Sequence, residues 1–404
     1  MADFFQNGVV STLHALGDRP DDEVEKELVD FSRETPMALV LPSLFSELEG
    51  PALSAIVDQI AEVPYLAEIV IGLDAADRAQ FETAREFFSR LPQRHRILWN
   101  DGPRLRALDA ALQEEGLAPQ LPGKGRNVWY CLGYTLASGR SKAVAMHDCD
   151  ILTYDRSMLA RLFYPIVHPS FDYAFCKGYY YRSANGRLNG RVARLFVTPL
   201  VRALASTLGS NPYLEYLDSF RYPLAGEQSM RIDVVGSVRI PADWGLEIGL
   251  LSEVHRQYNP KRVCQVDLAD AYDHKHQDVS FDDPNAGLNR MATDIAKAMF
   301  RKLATNGEVL SPETFRTVKA AYYRGALDMV GRYQDDAIIN GLEFDLHAEE
   351  ETVELFAAAV MRAGEQFLSN PMEAPFLPSW SRVRSAMPDV LDRIADAVEA
   401  DQLD

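Results

Sequence analysis

Apolar residues gather along the chain in short runs separated by helix-sized polar stretches. Residues 37–42 (MALVLP), 67–73 (AEIVIGL), 96–100 (RILWN) and 142–148 (KAVAMHD) are mostly continuous, not alternating, and rich in Val, Ile and Leu. Such runs, spaced by amphipathic segments, predict βα units around a mainly parallel sheet buried on both faces. Residues 172–182 (DYAFCKGYYYR), 234–241 (VVGSVRIP) and 262–272 (RVCQVDLADAY) are predicted as later strands, the first with some alternation. Residues 1–35 form a predicted helical N-terminal segment, with Val24, Leu28, Val29 and Phe31 on one rough stripe. Residues 36–280 then make up one α/β domain. Beyond them, residues 281–404 lose strand character and predict a helical C-terminal region, packed on the first domain or on a second subunit. Ser311 before Pro312 is a predicted N-cap. Val353, Phe356 and Val360 recur at helical spacing after an acidic start that the helix dipole favours.

Length and charge narrow the function. A chain of 404 residues is long for a single core, which favours two lobes or one domain with a large extension. No stretch reaches the ~20 apolar residues that span a bilayer, and the first residues lack a secretory pattern, so the expected compartment is the cytoplasm. Cys131, Cys149, Cys176 and Cys264 show no CxxC pairing, and three of them lie in or beside strand-like runs, which suits free buried thiols. A formal charge of −18 argues against binding nucleic acid or anionic membrane. An anionic ligand would need a local basic site or a bound cation.

The candidate chemistry sits at the ends of the strands, where ligands of parallel α/β sheets collect. In residues 145–153 (AMHDCDILT), Asp148 and Asp150 flank Cys149 where an apolar run stops. On extended backbone the two carboxylates share one side while the cysteine turns inward. Like charges that close favour a cation between or near them, and oxygen ligands favour Mg²⁺ or Mn²⁺. A turn or helix-cap aspartate is the alternative. Gly123-Lys124-Gly125 resembles a phosphate-handling turn without being a Walker A loop, and an exposed lysine in a glycine turn is its alternative. Three more polar clusters follow: Pro223, Gly226 and Glu227; Asp243, Trp244 and Glu247; and Asp273, His274 and His276. Each, alone, also fits a turn, a cap or a solvated surface.

Their order is more specific than any one of them. The stretches 40–49 (VLPSLFSELE), 122–125 (PGKG), 147–152 (HDCDIL), 189–204 (NGRVARLFVTPLVRAL), 222–227 (YPLAGE), 244–251 (WGLEIGLL) and 273–274 (DH) resemble, in collinear order, the retaining GT-A glycosyltransferases of the glucosyl-3-phosphoglycerate synthase family. Mannosylglycerate synthases are a more distant likeness. The resemblance spans roughly residues 36–280. It implies an α/β, Rossmann-like GT-A domain that binds a nucleotide sugar, followed by a helical C-terminal extension.

The resemblance also implies roles. Pro42, Leu44, Glu47 and Asp74 would contact the nucleotide, as would Gly123 and Lys124 of the GKG turn. Asp150 would bind Mg²⁺ or Mn²⁺, completed by His274, while Asp148 faces the nucleoside sugar. Gly226 and Glu227 would line the sugar pocket, and Glu247 would support the transferred glucose and the acceptor. Arg191 would grip the acceptor's phosphate or carboxylate, a task suited to a guanidinium fork. His276 stands where the family places an asparagine, and Ala193 where it places a hydroxyl residue. Lys177, Tyr180 and Arg182 either assist there or are ordinary strand residues.

The implied activity is metal-dependent, retaining transfer of glucose from UDP- or GDP-glucose to 3-phosphoglycerate or a similar small acid such as D-glycerate. Products of such enzymes are compatible solutes or saccharide precursors, and the related enzymes imply a homodimer. Mannosyl transfer, a nucleotidyltransferase and a non-catalytic sugar-nucleotide-binding protein are the competing readings.

Overall fold

The computed structural model describes residues 6, 8–17, 19–118, 122–274, 283, 286–371 and 376–403. Eight strands form one sheet: β1 (Ser11–Leu13), β2 (Met37–Leu44), β3 (Leu66–Asp74), β4 (His95–Trp99), β5 (Ala143–Met146), β6 (Phe175–Tyr180), β7 (Gln228–Arg231) and β8 (Val263–Ala269). Their order is β1-β8-β6-β7-β5-β2-β3-β4. Neighbours pair parallel except β7, which runs antiparallel to β5 and to β6.

Between the strands lie α1 (Asp21–Ser32), α2 (Pro51–Ala61), α3 (Arg78–Phe88), α4 (Pro103–Glu114), α5 (Lys124–Ser138) and α6 (Arg156–Val167). After β6 come α7 (Thr198–Leu208), α8 (Pro212–Asp218), α9 (Ile232–Ser237) and α10 (Leu246–Gln257). After β8 come α11 (Gly287–Thr305), α12 (Pro312–Ile339), α13 (Leu346–Ser369), α14 (Trp380–Ala386) and α15 (Val390–Leu403). None of the described helices is long and apolar enough to cross a membrane.

The continuous apolar runs follow from burial of both sheet faces. Leu39, Leu41, Ile69, Ile71 and Ile97 pack with residues of α2, α3 and α6. The alternate positions Val40, Val70, Leu98 and Val144 join a second cluster with α4, α5 and the C-terminal helices. Period-two backbone thus puts an aliphatic side chain on each face.

The C-terminal region packs on the sheet region and shares its core. Trp380 of α14 stacks on Trp129 of α5 with ring centroids 4.1 Å apart. Its indole N–H donates to the Trp129 carbonyl at 2.9 Å. Glu399 of α15 accepts from Arg94 at 2.7 Å and from Arg96 at 2.8 Å, and Asp401 pairs with Arg104. The Gln402 amide donates to the Ile97 carbonyl of β4 at 3.2 Å.

Two local expectations change. Among the described residues of the 1–35 segment, only α1 is helical, and Ser11–Leu13 join the sheet beside β8. Three residues are too few to carry a period. Of residues 234–241, read as a strand, 234–237 lie in α9, where Val234 and Val235 are buried in the core, and Ile240–Pro241 form a short strand paired antiparallel with Phe376–Leu377. Pairing with β5 ends at Arg231, so packing and not β-branched composition decides. Cys176 and Cys264 lie in β6 and β8 and Cys149 just past β5, as expected, while Cys131 lies in α5; all four cysteines are free and buried.

Candidate active site

A cleft of about 850 Å³ opens where β2, β3 and β5 end. Leu44 and Asp74 are level in the β2–β3 ladder, so both strands finish at one rim. Pro42, Leu44, Asp74 and Glu47, the last in the 3₁₀ turn Phe45–Glu49, line this part of the cleft. Asp74 accepts from Asn100 Nδ2 at 2.7 Å, and burial holds its carboxyl above the usual range.

Gly123 and Lys124 form the start of α5 and also line the cleft. The first-turn amides of a helix lack intrahelical acceptors and favour an anion. Gly125 lets the Pro241–Ala242 backbone pack against this turn, since an added Cβ would stand 2.1 Å from the Pro241 carbonyl oxygen. Lys124 Nζ lies 2.7 Å from Asp148 Oδ1 and 3.3 Å from Glu247 Oε1. Burial disfavours the ammonium, yet these acids outweigh burial and hold its pKa well above the usual lysine value. Burial likewise opposes ionisation of Asp148, and Lys124 reverses the direction and lowers it. Glu247 reaches the cleft from the first turn of α10.

Asp148 and Asp150 both line the cleft with side chains 28% and 27% exposed, while Cys149 is buried in the core between them. His274 meets Asp150 there, its Nδ1 3.5 Å from Asp150 Oδ2. His274 comes from the loop after β8 and is carried in by an antiparallel bridge to Ile151 and by a 2.9 Å bond from Leu152 N to the Asp273 carbonyl. A carboxylate oxygen and an imidazole nitrogen converging at a cleft suit a Mg²⁺- or Mn²⁺-sized ion. The described residues contain no group of three or more His, Cys, Asp or Glu placed for a metal; two donors leave coordination positions for a ligand's own oxygens and water.

Gly226 belongs on the cleft wall. A Cβ on it would sit 2.3 Å from Asp148 Oδ2, so only glycine admits the aspartate in its place. Glu227 does not line the cleft, contrary to its expected place in the sugar pocket. It is fully buried, and both of its oxygens are taken by tyrosine hydroxyls, Tyr180 at 2.8 Å and Tyr272 at 2.9 Å. Burial first, and then the charge of Asp148, raises its pKa. Its carboxyl therefore braces the stacked rings of Tyr180 and Tyr272, whose centroids are 3.6 Å apart, and Tyr180 lines the cleft in its stead.

Arg182, Arg187, Asn189, Gly190, Arg191 and Tyr222 also line the cleft. Arg182 donates to Tyr222 Oη at 3.1 Å. Arg191 donates through Nε to Glu349 Oε1 at 2.8 Å. Lys177 does not line the cleft: it is a fully buried residue of β6 and donates to Oε1 of Gln228 on the neighbouring β7 at 3.3 Å. His276 lies outside the described residues. Sequence reasoning missed Asn189, Tyr222 and Glu349. Asn189 and Tyr222 lie inside resembling stretches, but nothing in the pattern announced Glu349 as the partner of Arg191.

No family model matches the chain. Among curated proteins it is 44% identical over 404 residues to the glucosyl-3-phosphoglycerate synthase of Persephonella marina, covering 100% of both chains. It is 36% identical over 403 residues to that of Methanococcoides burtonii, covering 99% of this chain and 98% of the other. Among solved structures it resembles Mycobacterium tuberculosis glucosyl-3-phosphoglycerate synthase in complex with Mn²⁺, UDP-glucose and phosphoglyceric acid. That match has a TM-score of 0.54 and 21% identity over 73% of this chain and 88% of the other, a likeness of fold. Identity carried across the whole length of two curated relatives settles the kinship: the chain belongs to the glucosyl-3-phosphoglycerate synthase family.

Proposed function

We propose that this protein is a metal-dependent, retaining hexosyltransferase that moves glucose from a nucleoside diphosphate donor to 3-phosphoglycerate. The observation that carries the proposal is the meeting of Asp150 and His274, 3.5 Å apart, in a cleft that Arg191 also lines. A diphosphate and a phosphorylated acid are both anions, and the chain's net charge is −18. Local positive charge within one cleft, from Lys124 and Arg191, answers that repulsion.

Asp150 and His274 would hold a divalent cation. When bound, the cation offsets the diphosphate's charge and stabilises the leaving phosphate oxygen. Lys124 and the first-turn amides of α5 add fixed positive charge beside it. Pro42, Leu44, Glu47 and Asp74 shape the nucleotide end. Gly226 leaves room for Asp148, and Tyr180, braced by Glu227, walls the sugar. Glu247 lies within reach of Lys124 and supports the developing charge at the sugar. Arg191 takes the acceptor's anionic group. Homodimerisation belongs to the same proposal and is supported by the exposed Ile338 and Ile339 at the end of α12.

The test is a matrix of UDP- and GDP-linked glucose and mannose against 3-phosphoglycerate and D-glycerate, with and without Mg²⁺. NMR of the anomeric centre reads the product. Metal-dependent α-glucosyl transfer to 3-phosphoglycerate is the expected result. Release of pyrophosphate, or no turnover with any pair, would overturn it. Sedimentation velocity reads the dimer.

A further inference from the structure

We propose that Glu349, from the C-terminal helical region, is a positioning residue for the acceptor: it holds Arg191 so that the guanidinium's two terminal amino groups point at the acceptor's anionic group. This rests on the reading of Arg191 given above and extends it to a residue outside the resembling stretches.

Glu349 lies in the first turn of α13, which Asp345 caps by accepting from Ala348 N at 3.0 Å. Its carboxylate is buried, with a side chain 4% exposed, and it sits between two guanidiniums. One oxygen accepts from Arg191 Nε at 2.8 Å; the other pairs with Arg194 Nη1. The two arginines differ in what remains of them. Arg194 is buried under the Tyr333 ring, at 5.1 Å to the centroid, and its other nitrogens reach the carbonyls of Asn189 at 3.0 Å and Leu188 at 3.3 Å. It is spent on structure. Arg191 is a third exposed on the cleft wall, and its only described hydrogen bond uses Nε.

Fixing a guanidinium by its Nε edge leaves the two-nitrogen end, a fork that matches the paired oxygens of a phosphate or carboxylate. Two guanidiniums against one carboxylate also leave a net positive charge. Arg194 is enclosed, so that surplus is delivered to the cleft through Arg191. The same connection is stitched to the acceptor wall a second time, where Arg187 pairs with Glu343 at 2.6 Å and Glu343 N donates to the Gly186 carbonyl at 2.7 Å. The α12–α13 junction thus sets the wall on which the acceptor must dock.

The test compares Glu349→Gln, Glu349→Asp, Arg191→Ala and the double variant Arg191→Ala/Glu349→Gln in steady-state kinetics, varying acceptor and donor separately. Glu349→Gln is expected to raise the acceptor KM by about tenfold, the worth of one charge-assisted bond, with the donor KM within about twofold. Glu349→Asp, which keeps the charge on a shorter arm, should fall between it and wild type. The double variant should be no worse for the acceptor than Arg191→Ala alone. Leaving the buried Arg194 guanidinium without its countercharge lowers the melting temperature, but loss of active enzyme moves kcat and not the ratio of the two KM values. The inference is overturned if Arg191→Ala raises the acceptor KM while neither Glu349 variant does. If Arg191→Ala leaves the acceptor KM unchanged, the assignment of Arg191 itself fails, and the role of Glu349 with it.

Discussion

The Lys124 ammonium lies 2.7 Å from Asp148 Oδ1 and ties the start of α5 to the loop that follows β5. Because Glu247 shares the same cation at 3.3 Å, one lysine offsets two acids that face a single cleft. Lys124→Met would leave those carboxylates repelling each other and any diphosphate beside them. The donor kcat/KM should fall by about 10²-fold or more. Lys124→Arg should not restore it, since a planar fork cannot replace a point charge between two acids. Isothermal titration of the donor nucleotide checks the binding part.

Asp150→Ala and His274→Ala should each abolish most metal-dependent turnover, by about 10²-fold or more, with little change in melting temperature. Both side chains are at the cleft surface and not in the core. Treating the wild-type protein with EDTA should reproduce the loss, and Mn²⁺ should reverse it in the wild type only. Restoration of Asp150→Ala by excess Mn²⁺ to wild-type rates would contradict the donor pair.

Gly226→Ala tests the close approach of the aspartate. A methyl group 2.3 Å from Asp148 Oδ2 forces that carboxylate to turn away. The expected result is a drop of about tenfold or more in kcat/KM for the donor, with the acceptor KM unchanged, since the rearrangement is local. Kinetics at saturating acceptor read it directly.

Lys177 supplies a pH prediction. Burial, opposed by the pull of Glu247 and Glu227, pushes its pKa down from 10.5 to about 8. Between these values the unfolded chain holds a proton that the folded chain does not, so this group makes stability rise with pH across that window. Below about pH 8 both states are protonated, and the cost of burying the ammonium is present in full. Lys177→Met removes that cost. The variant should therefore melt above wild type at pH 7 and lose its advantage as the pH climbs toward 10.5. Urea titrations across that range check it, and a pH-independent difference would sink the idea.

The sheet was legible because its strands are buried on both faces, and residues such as Leu39, Val40 and Leu41 are apolar whichever way they point. The acid pair was legible for a related reason: Cys149, buried between two half-exposed aspartates, marks the strand's end in the sequence itself. Glu227 was misplaced because its surroundings come from Tyr180 and Tyr272, which are distant in sequence and stacked only in the fold. Glu349 was invisible for the opposite reason. It sits in an acidic run, residues 348–354 (AEEETVE), that reads as a solvated helix start. Only the folded chain shows that one acid of that run is enclosed by two arginines from beyond β6.

The last helix has a consequence far from any chemistry. β4 is the outermost strand of the sheet, and an open strand edge is a template for other chains. Glu399, Asp401 and Gln402 cover that edge through Arg94, Arg96, Arg104 and the Ile97 carbonyl. Loss of these final turns would bare the β4 edge and part of the core beneath Val390, Ile394 and Val398, so a chain clipped there is expected to self-associate more readily, which light scattering would read.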